Sequence, residues 1–361
     1  MSLDTSSLPP PPPISRRTVH MAGLLVDVYG LEELFSSEAT RVSCLWLHHQ
    51  RTRRKEDMAD IAARCVGAWN SNNDDGKPSS SSKKQRRGLI ALAYDQRNHG
   101  TRLVSERANG SWREGNPMHA VDMFGVVAGM VADQRVLIDL VEGCLFHDDD
   151  AAPVKRTVDQ HLALGISLGG HSVWQLMFAE PRVEAGVVVV GCPDFMYLLA
   201  DRARLSKLPT YSAQDNGASF FGSKDFPPSL VDACRKNDPK AIFFGTSAVP
   251  TTTAAGPADD AARQILHDRL RGKRFLLCSG GDDKLVPYRC SEPFLEWFKK
   301  ATESWFKDED VSVDNRVYSG IGHSFSTDMI KDSVQFVLDV VAHAGERASP
   351  AKTDEQWASK I

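Results

Sequence analysis

Short apolar runs alternate with longer amphipathic segments along most of the chain. Runs rich in aliphatic and β-branched residues predict strands at residues 23–31, 42–49, 88–95, 161–166, 186–192, 273–280 and 313–320. Apolar residues at helical spacing predict helices at residues 56–69, within 117–143, from about 169 and at 326–343. This order predicts an α/β fold, with a mostly parallel central sheet flanked by helices on both faces.

Three segments interrupt the alternation. Residues 1–17 contain a run of prolines and predict a disordered leader. Residues 71–87 are polar and of low complexity, which predicts a disordered surface insertion within one continuous domain. Residues 194–265 mix aromatic residues with prolines and glycines, and we expect them to form a cap inserted between the sixth and seventh strands. The predicted core therefore comprises residues 18–193 and 266–345, and a flexible tail follows at residues 346–361.

Composition narrows the class of protein. The chain has 43 Lys and Arg residues against 47 Asp and Glu, and the net charge of −4 gives no indication of a nucleic-acid partner. Seven scattered cysteines form no Cys-x-x-Cys pair, which favours a reduced intracellular protein over a disulfide scaffold. No apolar stretch has the length of a membrane span, and the first residues lack a secretory pattern. We therefore expect an intracellular protein without a membrane span.

The stretch Gly165-Ile166-Ser167-Leu168-Gly169 follows a predicted strand and precedes a predicted helix. In that setting G-x-S-x-G predicts a sharp turn that lifts the serine hydroxyl clear of the sheet. A serine that only caps the following helix is the alternative interpretation. Because a serine hydroxyl is a poor nucleophile near neutral pH, the catalytic interpretation requires a base and a carboxylate that orients this base.

Both partners occur downstream. Asp282 and Asp283 follow the next-to-last predicted strand, and His323 follows the last one. Loops after parallel strands meet at the carboxyl edge of a sheet, so we expect these side chains to lie beside Ser167.

With these motifs the chain resembles the α/β-hydrolase superfamily, whose serine, acid and histidine occur in this order along the chain. The resemblance also rests on the D-x-R-x-H-G turn of residues 95–100 and spans roughly residues 20–345. It implies the α/β-hydrolase fold, with Ser167 as nucleophile, Asp283 as triad acid and His323 as general base.

The superfamily pattern also ranks the alternatives. Its D-x-x-V-P spacing selects Asp283 over Asp282 as the triad acid. Because the superfamily places its base after the last strand, His99 and His171 are expected to be structural. Asp95 and Arg97 are expected to brace the floor of the active site without a chemical step.

The resemblance further implies two backbone donors for an oxyanion. One is the amide of Leu168, which follows the nucleophile. The second comes from the loop after the third strand, where many relatives have His-Gly followed by the donor, whereas this chain has Leu47-His48-His49-Gln50. This departure leaves both His49 and Gln50 as candidates, and we favour Gln50.

These residues together predict a serine hydrolase that cleaves a carboxylic ester or thioester through an acyl-enzyme. The aromatic-rich cap favours a small-molecule substrate with an apolar acyl or alcohol moiety. Alternatives with the same fold are a serine peptidase, a lactonase and a carbon–carbon bond hydrolase. A non-catalytic binding module is the alternative from another class.

No cofactor is expected, because side chains and oriented amides handle the charge. His119 and Asp122 lie three residues apart on a predicted helix, but no third metal ligand is evident. The last three residues, Ser359-Lys360-Ile361, differ from the peroxisomal address S-K-L by one isomeric change. We therefore expect a peroxisomal import receptor as a partner and a peroxisomal location. The alternative is a frayed end of a cytoplasmic protein.

Overall fold

The central element is a mostly parallel sheet of eight strands. The computed structural model describes residues 4–5, 7–74, 87–147, 154–250 and 257–344. Its strands are β1 Arg16–Met21, β2 Leu24–Tyr29, β3 Arg41–His48, β4 Arg87–Tyr94, β5 Thr157–Ile166, β6 Val183–Val189, β7 Arg274–Gly280 and β8 Ser312–Tyr318. They are arranged in the order β1-β2-β4-β3-β5-β6-β7-β8. β2 pairs antiparallel with both β1 and β4, and the other neighbours are parallel.

Helices cover both faces of this sheet. They are α1 Leu31–Phe35, α2 Ala59–Asp74, α3 His119–Phe146, α4 Leu168–Ala179, α5 Phe195–Leu205, α6 Pro228–Asn237, α7 Pro239–Phe244, α8 Pro257–Leu270, α9 Tyr288–Glu303 and α10 Thr327–Ala342. Residues of α2 and α10 pack on one face, and residues of α3, α4, α8 and α9 pack on the other. Within the described ranges, no helix combines the length and the apolar character needed to cross a membrane.

Alternation within the strands produces the two cores. In β5, Leu162, Leu164 and Ile166 belong to the cluster with α2 and α10, whereas Ala163 belongs to the cluster with α3 and α4. All four side chains are buried. This explains the near-continuous apolar run in the sequence, because a strand covered on both faces has no solvent-facing position.

All seven predicted strands overlap strands β2 to β8, but β1 has no counterpart in the prediction. Its sequence RRTVHM carries charged and polar residues, and the strand lies at the edge of the sheet with most side chains exposed. Edge strands need little apolar surface, so this one gives no apolar signal.

Part of the predicted leader is attached to the core. β1 begins at Arg16, inside the range 1–17. Leu8 and Ile14 pack against the α2 side of the sheet, and the backbone N–H of Ser15 donates to Glu33 at 2.8 Å. These contacts keep residues 8–15 on the surface of the domain.

The boundaries of the other irregular segments also differ from the prediction. α2 extends to Asp74 and β4 begins at Arg87, so both ends of the predicted insertion at 71–87 lie in regular elements, and residues 75–86 lie outside the described residues. The tail at 346–361, with Ser359, Lys360 and Ile361, also lies outside them.

The predicted cap at 194–265 contains α5, α6, α7 and the first part of α8. Phe195, Phe220 and Phe226 are each exposed by 1% or less, and the ring of Phe226 contacts both others, so the three side chains form the interior of the cap. Their cluster includes Leu168, which places α5 and α6 beside the predicted nucleophile.

Candidate active site

Ser167 occupies a strained turn between β5 and α4. Its backbone has φ 55° and ψ −111°, a conformation that a residue with a β-carbon rarely adopts. The turn is held because the Ser167 N–H donates to the carbonyl of Val189 in β6, at 2.8 Å. This geometry matches the strand–turn–helix setting predicted from G-x-S-x-G.

The two flanking glycines are required by close backbone contacts. A β-carbon on Gly165 would lie 2.1 Å from the carbonyl oxygen of Gly169, and one on Gly169 would lie 2.1 Å from the carbonyl oxygen of His48. Neither site has space for a methyl group. The second contact also joins the serine turn to the end of β3, where the predicted oxyanion loop begins.

Three side chains from distant loops form one chain of hydrogen bonds. Ser167 Oγ lies 2.8 Å from His323 Nε2, and His323 Nδ1 lies 2.7 Å from Asp283 Oδ2. The other carboxylate oxygen, Asp283 Oδ1, accepts the backbone N–H groups of Leu285 and Val286 at 2.8 and 2.9 Å. With its carboxylate held in this way, Asp283 accepts the Nδ1 proton of His323 and leaves Nε2 as the acceptor for the serine hydroxyl.

Asp283 and Asp282 have different environments in the structure. The side chain of Asp283 is fully buried against His323, whereas Asp282 is exposed to solvent. The Asp282 backbone N–H donates to the carbonyl of Ile321 at 2.9 Å, and its carboxylate has no hydrogen-bond partner among the described residues. The geometry therefore assigns the contact with His323 to Asp283.

The alternative histidines are engaged elsewhere. His171 lies in α4 and accepts the backbone N–H of Cys192 at 3.0 Å. His99 Nδ1 faces the carbonyl of Arg97 at 2.9 Å. Burial lowers the pKa of both imidazoles, that of His171 to about 3, so both are neutral near pH 7.

Candidate oxyanion donors meet beside the serine turn. The N–H of Leu168 is in the first turn of α4 and has no acceptor within that helix. The Gln50 N–H has no acceptor in the part of the chain that the structure describes. The contact between His48 and Gly169 brings the loop of residues 48–50 to this turn.

The side chain of His49 holds this loop in place. Its Nε2 accepts the backbone N–H of Gln96 at 3.0 Å, so its Nδ1 carries the proton and donates to the carbonyl of Gln50 at 2.8 Å. The Gln96 side-chain amide donates to the carbonyl of His49 in turn. His49, which occupies the position of the expected glycine, therefore connects the loop after β3 to the turn after β4 through hydrogen bonds.

The D-x-R-x-H-G turn supports the floor of the site. Asp95 accepts the backbone N–H groups of Lys55 and Thr101, each at 2.9 Å. Arg97 forms an ion pair with Asp133 of α3 at 2.9 Å. Both residues thus connect loops and do not contact the Ser167 hydroxyl.

His119 and Asp122, which have the spacing of metal ligands, form hydrogen bonds with other groups of the protein. Asp122 accepts the side-chain amide of Asn116 at 2.9 Å, and His119 Nδ1 donates to the carbonyl of Gly110 at 3.0 Å. Among the described residues, no three His, Cys, Asp or Glu side chains are grouped so as to hold a metal ion.

Two arginines that the sequence analysis does not single out border the site. Arg51 follows Gln50 directly. Arg202 of α5 donates at 3.1 Å to the carbonyl of Leu285, which lies in the same loop as Asp283. Sequence offers no signal for this pair, because one residue lies after β3 and the other in the cap.

Strand order and serine turn together define the α/β-hydrolase fold. No family model and no curated protein sequence matches the chain. Among solved structures, the chain is similar to TT1662 from Thermus thermophilus, with 15% identity, a TM-score of 0.54, and coverage of 91% of this chain and 99% of that one. This likeness concerns the fold.

Two further structures align over most of this chain. Est1E from Butyrivibrio proteoclasticus, with ferulic acid bound, is 14% identical with a TM-score of 0.45, covering 92% of this chain and all of the other. A puromycin-hydrolyzing peptidase of Mycobacterium tuberculosis is 14% identical with a TM-score of 0.48, covering 91% of this chain and 39% of the other.

Proposed function

We propose that this protein is a serine hydrolase that cleaves a carboxylic ester or thioester through an acyl-enzyme intermediate. The observation that carries the proposal is the unbroken chain of hydrogen bonds from Ser167 through His323 to Asp283, built on a turn with positive φ. A serine that only capped α4 would need neither partner, and the Ser167 side chain makes no capping hydrogen bond.

The first half of the proposed reaction forms the acyl-enzyme. His323 Nε2 takes the proton as Ser167 Oγ bonds to the substrate carbonyl carbon. Asp283 stabilises the resulting imidazolium, and the N–H groups of Leu168 and Gln50 stabilise the oxyanion. The tetrahedral intermediate then collapses, the ester bond breaks, and His323 gives its proton to the leaving alcohol or thiol.

The second half releases the acid. Water attacks the acyl-enzyme carbonyl while His323 Nε2 takes its proton, and the same amides stabilise the second oxyanion. Collapse returns the proton from His323 to Ser167 Oγ and frees the carboxylic acid. Apart from the substrate and water, each step uses only side chains and amides described above.

Burial limits which aromatic side chains of the cap can contact a substrate. Phe195, Phe220 and Phe226 are buried within the cap, so they do not present apolar rings to a bound molecule. Tyr197 is exposed and Phe221 is only partly buried, so the expectation of an apolar acyl or alcohol moiety stays a prediction. The proposal itself rests on the reacting groups.

A fluorophosphonate probe tests the proposal, because it reacts with activated serine hydroxyls. We expect labelling of the wild-type protein and none of Ser167→Ala. Ser324→Ala is the matched control, since Ser324 is a partly buried serine next to His323 and should label normally. Absence of labelling in folded wild-type protein, or persistence in Ser167→Ala, would contradict the proposal and favour a non-catalytic binding role.

A further inference from the structure

The positive charges of Arg51 and Arg202 are not neutralised by ion pairs. Arg202 donates to three neutral acceptors, His119 Nε2 at 3.4 Å, the Met123 sulfur at 3.1 Å and the carbonyl of Leu285 at 3.1 Å. Arg51 donates to the carbonyl of Asn109 at 3.2 Å. Across the described part of the chain, neither guanidinium contacts a carboxylate, although buried or partly buried charges are usually paired.

These two charges act on each other and on the same neighbour. Burial, reinforced by repulsion from Arg51, lowers the pKa of Arg202 to about 10. Burial lowers the pKa of His119 to about 3, and both guanidinium groups contribute to that shift. His119 is therefore a neutral acceptor, and both arginines remain charged at neutral pH.

The nearest carboxylates do not cancel this charge. Asp283 commits both oxygens to His323, Leu285 and Val286. Glu114 is the acidic neighbour of Arg51, but it is exposed to water and accepts the backbone N–H of Ser111 at 2.6 Å. Solvent screens the charge of such an exposed group.

Each arginine is connected to a loop that contributes to the candidate site. Arg51 extends from the loop whose Gln50 amide is the proposed second oxyanion donor. Arg202 contacts Leu285, whose own N–H donates to Asp283 at 2.8 Å. Both guanidinium groups are only partly buried and retain N–H donors without an acceptor among the described residues.

A third donor near this pair also lacks a partner. The indole N–H of Trp112 is buried and has no acceptor among the described residues. The indole ring packs on His119, with 4.9 Å between ring centroids. Buried donors are usually satisfied, so this N–H is one further donor in the region that no described residue accepts.

We propose that Arg51 and Arg202 form a subsite for a carboxylate of the substrate, so that the preferred ester or thioester carries a negative charge. This inference rests on the proposed hydrolase function and specifies its substrate class. Guanidinium groups bind carboxylates through paired, charge-assisted hydrogen bonds. A carboxylate would also relieve the repulsion between the two arginines.

Matched pairs of esters test this subsite. One pair carries the charge on the acyl side, namely the para-nitrophenyl monoester of glutaric acid and the same compound capped as a methyl ester. The other carries it on the alcohol side, namely para-acetoxybenzoate and its methyl ester. We expect kcat/KM to favour the charged member of at least one pair by about tenfold or more, as charged hydrogen bonds predict.

Variants connect that preference to the two arginines. Arg202→Gln and Arg51→Gln should each reduce the charged-to-neutral ratio of kcat/KM about tenfold, while Arg202→Lys should retain most of it. Arg235→Gln is the control and should leave the ratio unchanged, because Arg235 lies on the exposed surface of α6, where it forms an ion pair with Asp232 at 3.3 Å. A ratio that is unaffected by either Gln variant would overturn the subsite.

Protection from the fluorophosphonate probe provides a measurement without turnover. Glutarate or benzoate should slow labelling of wild-type Ser167 but not of Arg202→Gln. Normal labelling with neither ester preference nor protection would reject the subsite while leaving the hydrolase proposal intact. Protection by inorganic phosphate but by neither carboxylate would overturn the carboxylate specificity and indicate a subsite for a phosphate group. Failure of all labelling would instead reject the hydrolase proposal.

Discussion

The carbonyl oxygen of His48 lies against the α-carbon face of Gly169, where a β-carbon would approach it to 2.1 Å. Gly169→Ala must therefore push the end of β3 away from the serine turn. We expect a fall in kcat of about a hundredfold or more, since an oxyanion donor would be displaced, and a loss of about 1–3 kcal/mol in stability. Ester kinetics and denaturant unfolding measure the two effects.

Gly143→Ala is the control for this substitution. Gly143 lies on the exposed side of α3, and its added β-carbon would meet nothing within 4 Å. That variant should be slightly more stable, by about 0.5–1 kcal/mol, with unchanged kcat. Equal kinetics for the two alanine variants would show that the contact with His48 does not position the site.

The two neighbouring aspartates should differ sharply in effect. Asp283→Asn removes the charge that stabilises the His323 imidazolium and disturbs its tautomer, so kcat should fall on the order of a thousandfold or more. Asp282→Asn changes only an exposed side chain and should reduce kcat less than about twofold. Single-turnover kinetics with an activated ester compares them. Loss of activity in Asp282→Asn would show that Asp283 is not the triad acid.

His49 should act as a positioning residue. His49→Ala removes the link between Gln96 and the Gln50 carbonyl, which frees the peptide that carries the second proposed oxyanion donor. We expect kcat to fall between about tenfold and a thousandfold with little change in KM. If His49→Ala lowers only the melting temperature and leaves kcat intact, the hydrogen bonds of His49 contribute to stability and not to catalysis.

Stability should decrease in mild acid because several imidazoles are buried. Burial lowers the pKa of His48, His49 and His161 from 6.5 to about 4 and that of His171 to about 3. Between pH 6.5 and about 4 the unfolded chain therefore binds more protons, and the free energy of unfolding falls as pH is lowered. Above pH 6.5 this contribution is fully present.

Each imidazole adds a slope of up to about 1.4 kcal/mol per pH unit. Denaturant unfolding across this pH range measures the summed contribution of these imidazoles to the free energy of unfolding. His161→Gln should flatten the pH profile of stability, because it removes one titrating imidazole. The glutamine can still accept the indole N–H that Trp46 donates to His161 at 3.2 Å, so the variant should fold. A wild-type profile that is flat below pH 6.5 would contradict the expected neutrality of these side chains.

Much of the site could be predicted because its signals are local. The strand, the G-x-S-x-G turn and the helix follow one another in a single stretch, and the structure has them as β5, Ser167 and α4. The positions of Asp283 and His323 after β7 and β8 followed from the rule that parallel strands end at one edge.

The rest depends on contacts that no local pattern encodes. An aromatic-rich cap predicts either a substrate pocket or the cap's own interior, and only packing shows that Phe220 and Phe226 fill the interior. The proximity of Arg51 to Arg202 arises from the tertiary fold, because Arg51 follows β3 and Arg202 lies in α5. The edge strand β1 lacked an apolar run, so hydrogen bonding to β2 was the only evidence for it.

The long sequence separation within the hydrogen-bond chain has a consequence for biosynthesis. Ser167 and His323 are 156 positions apart, and His323 and Asp283 are 40 apart. A nascent chain that has emerged only through β6 carries the serine without its base or acid. The hydroxyl would therefore stay unreactive until β7 and β8 are synthesised and join the sheet. Probe labelling of ribosome-bound chains of increasing length should show one abrupt onset, and gradual onset would contradict this dependence on the last two strands.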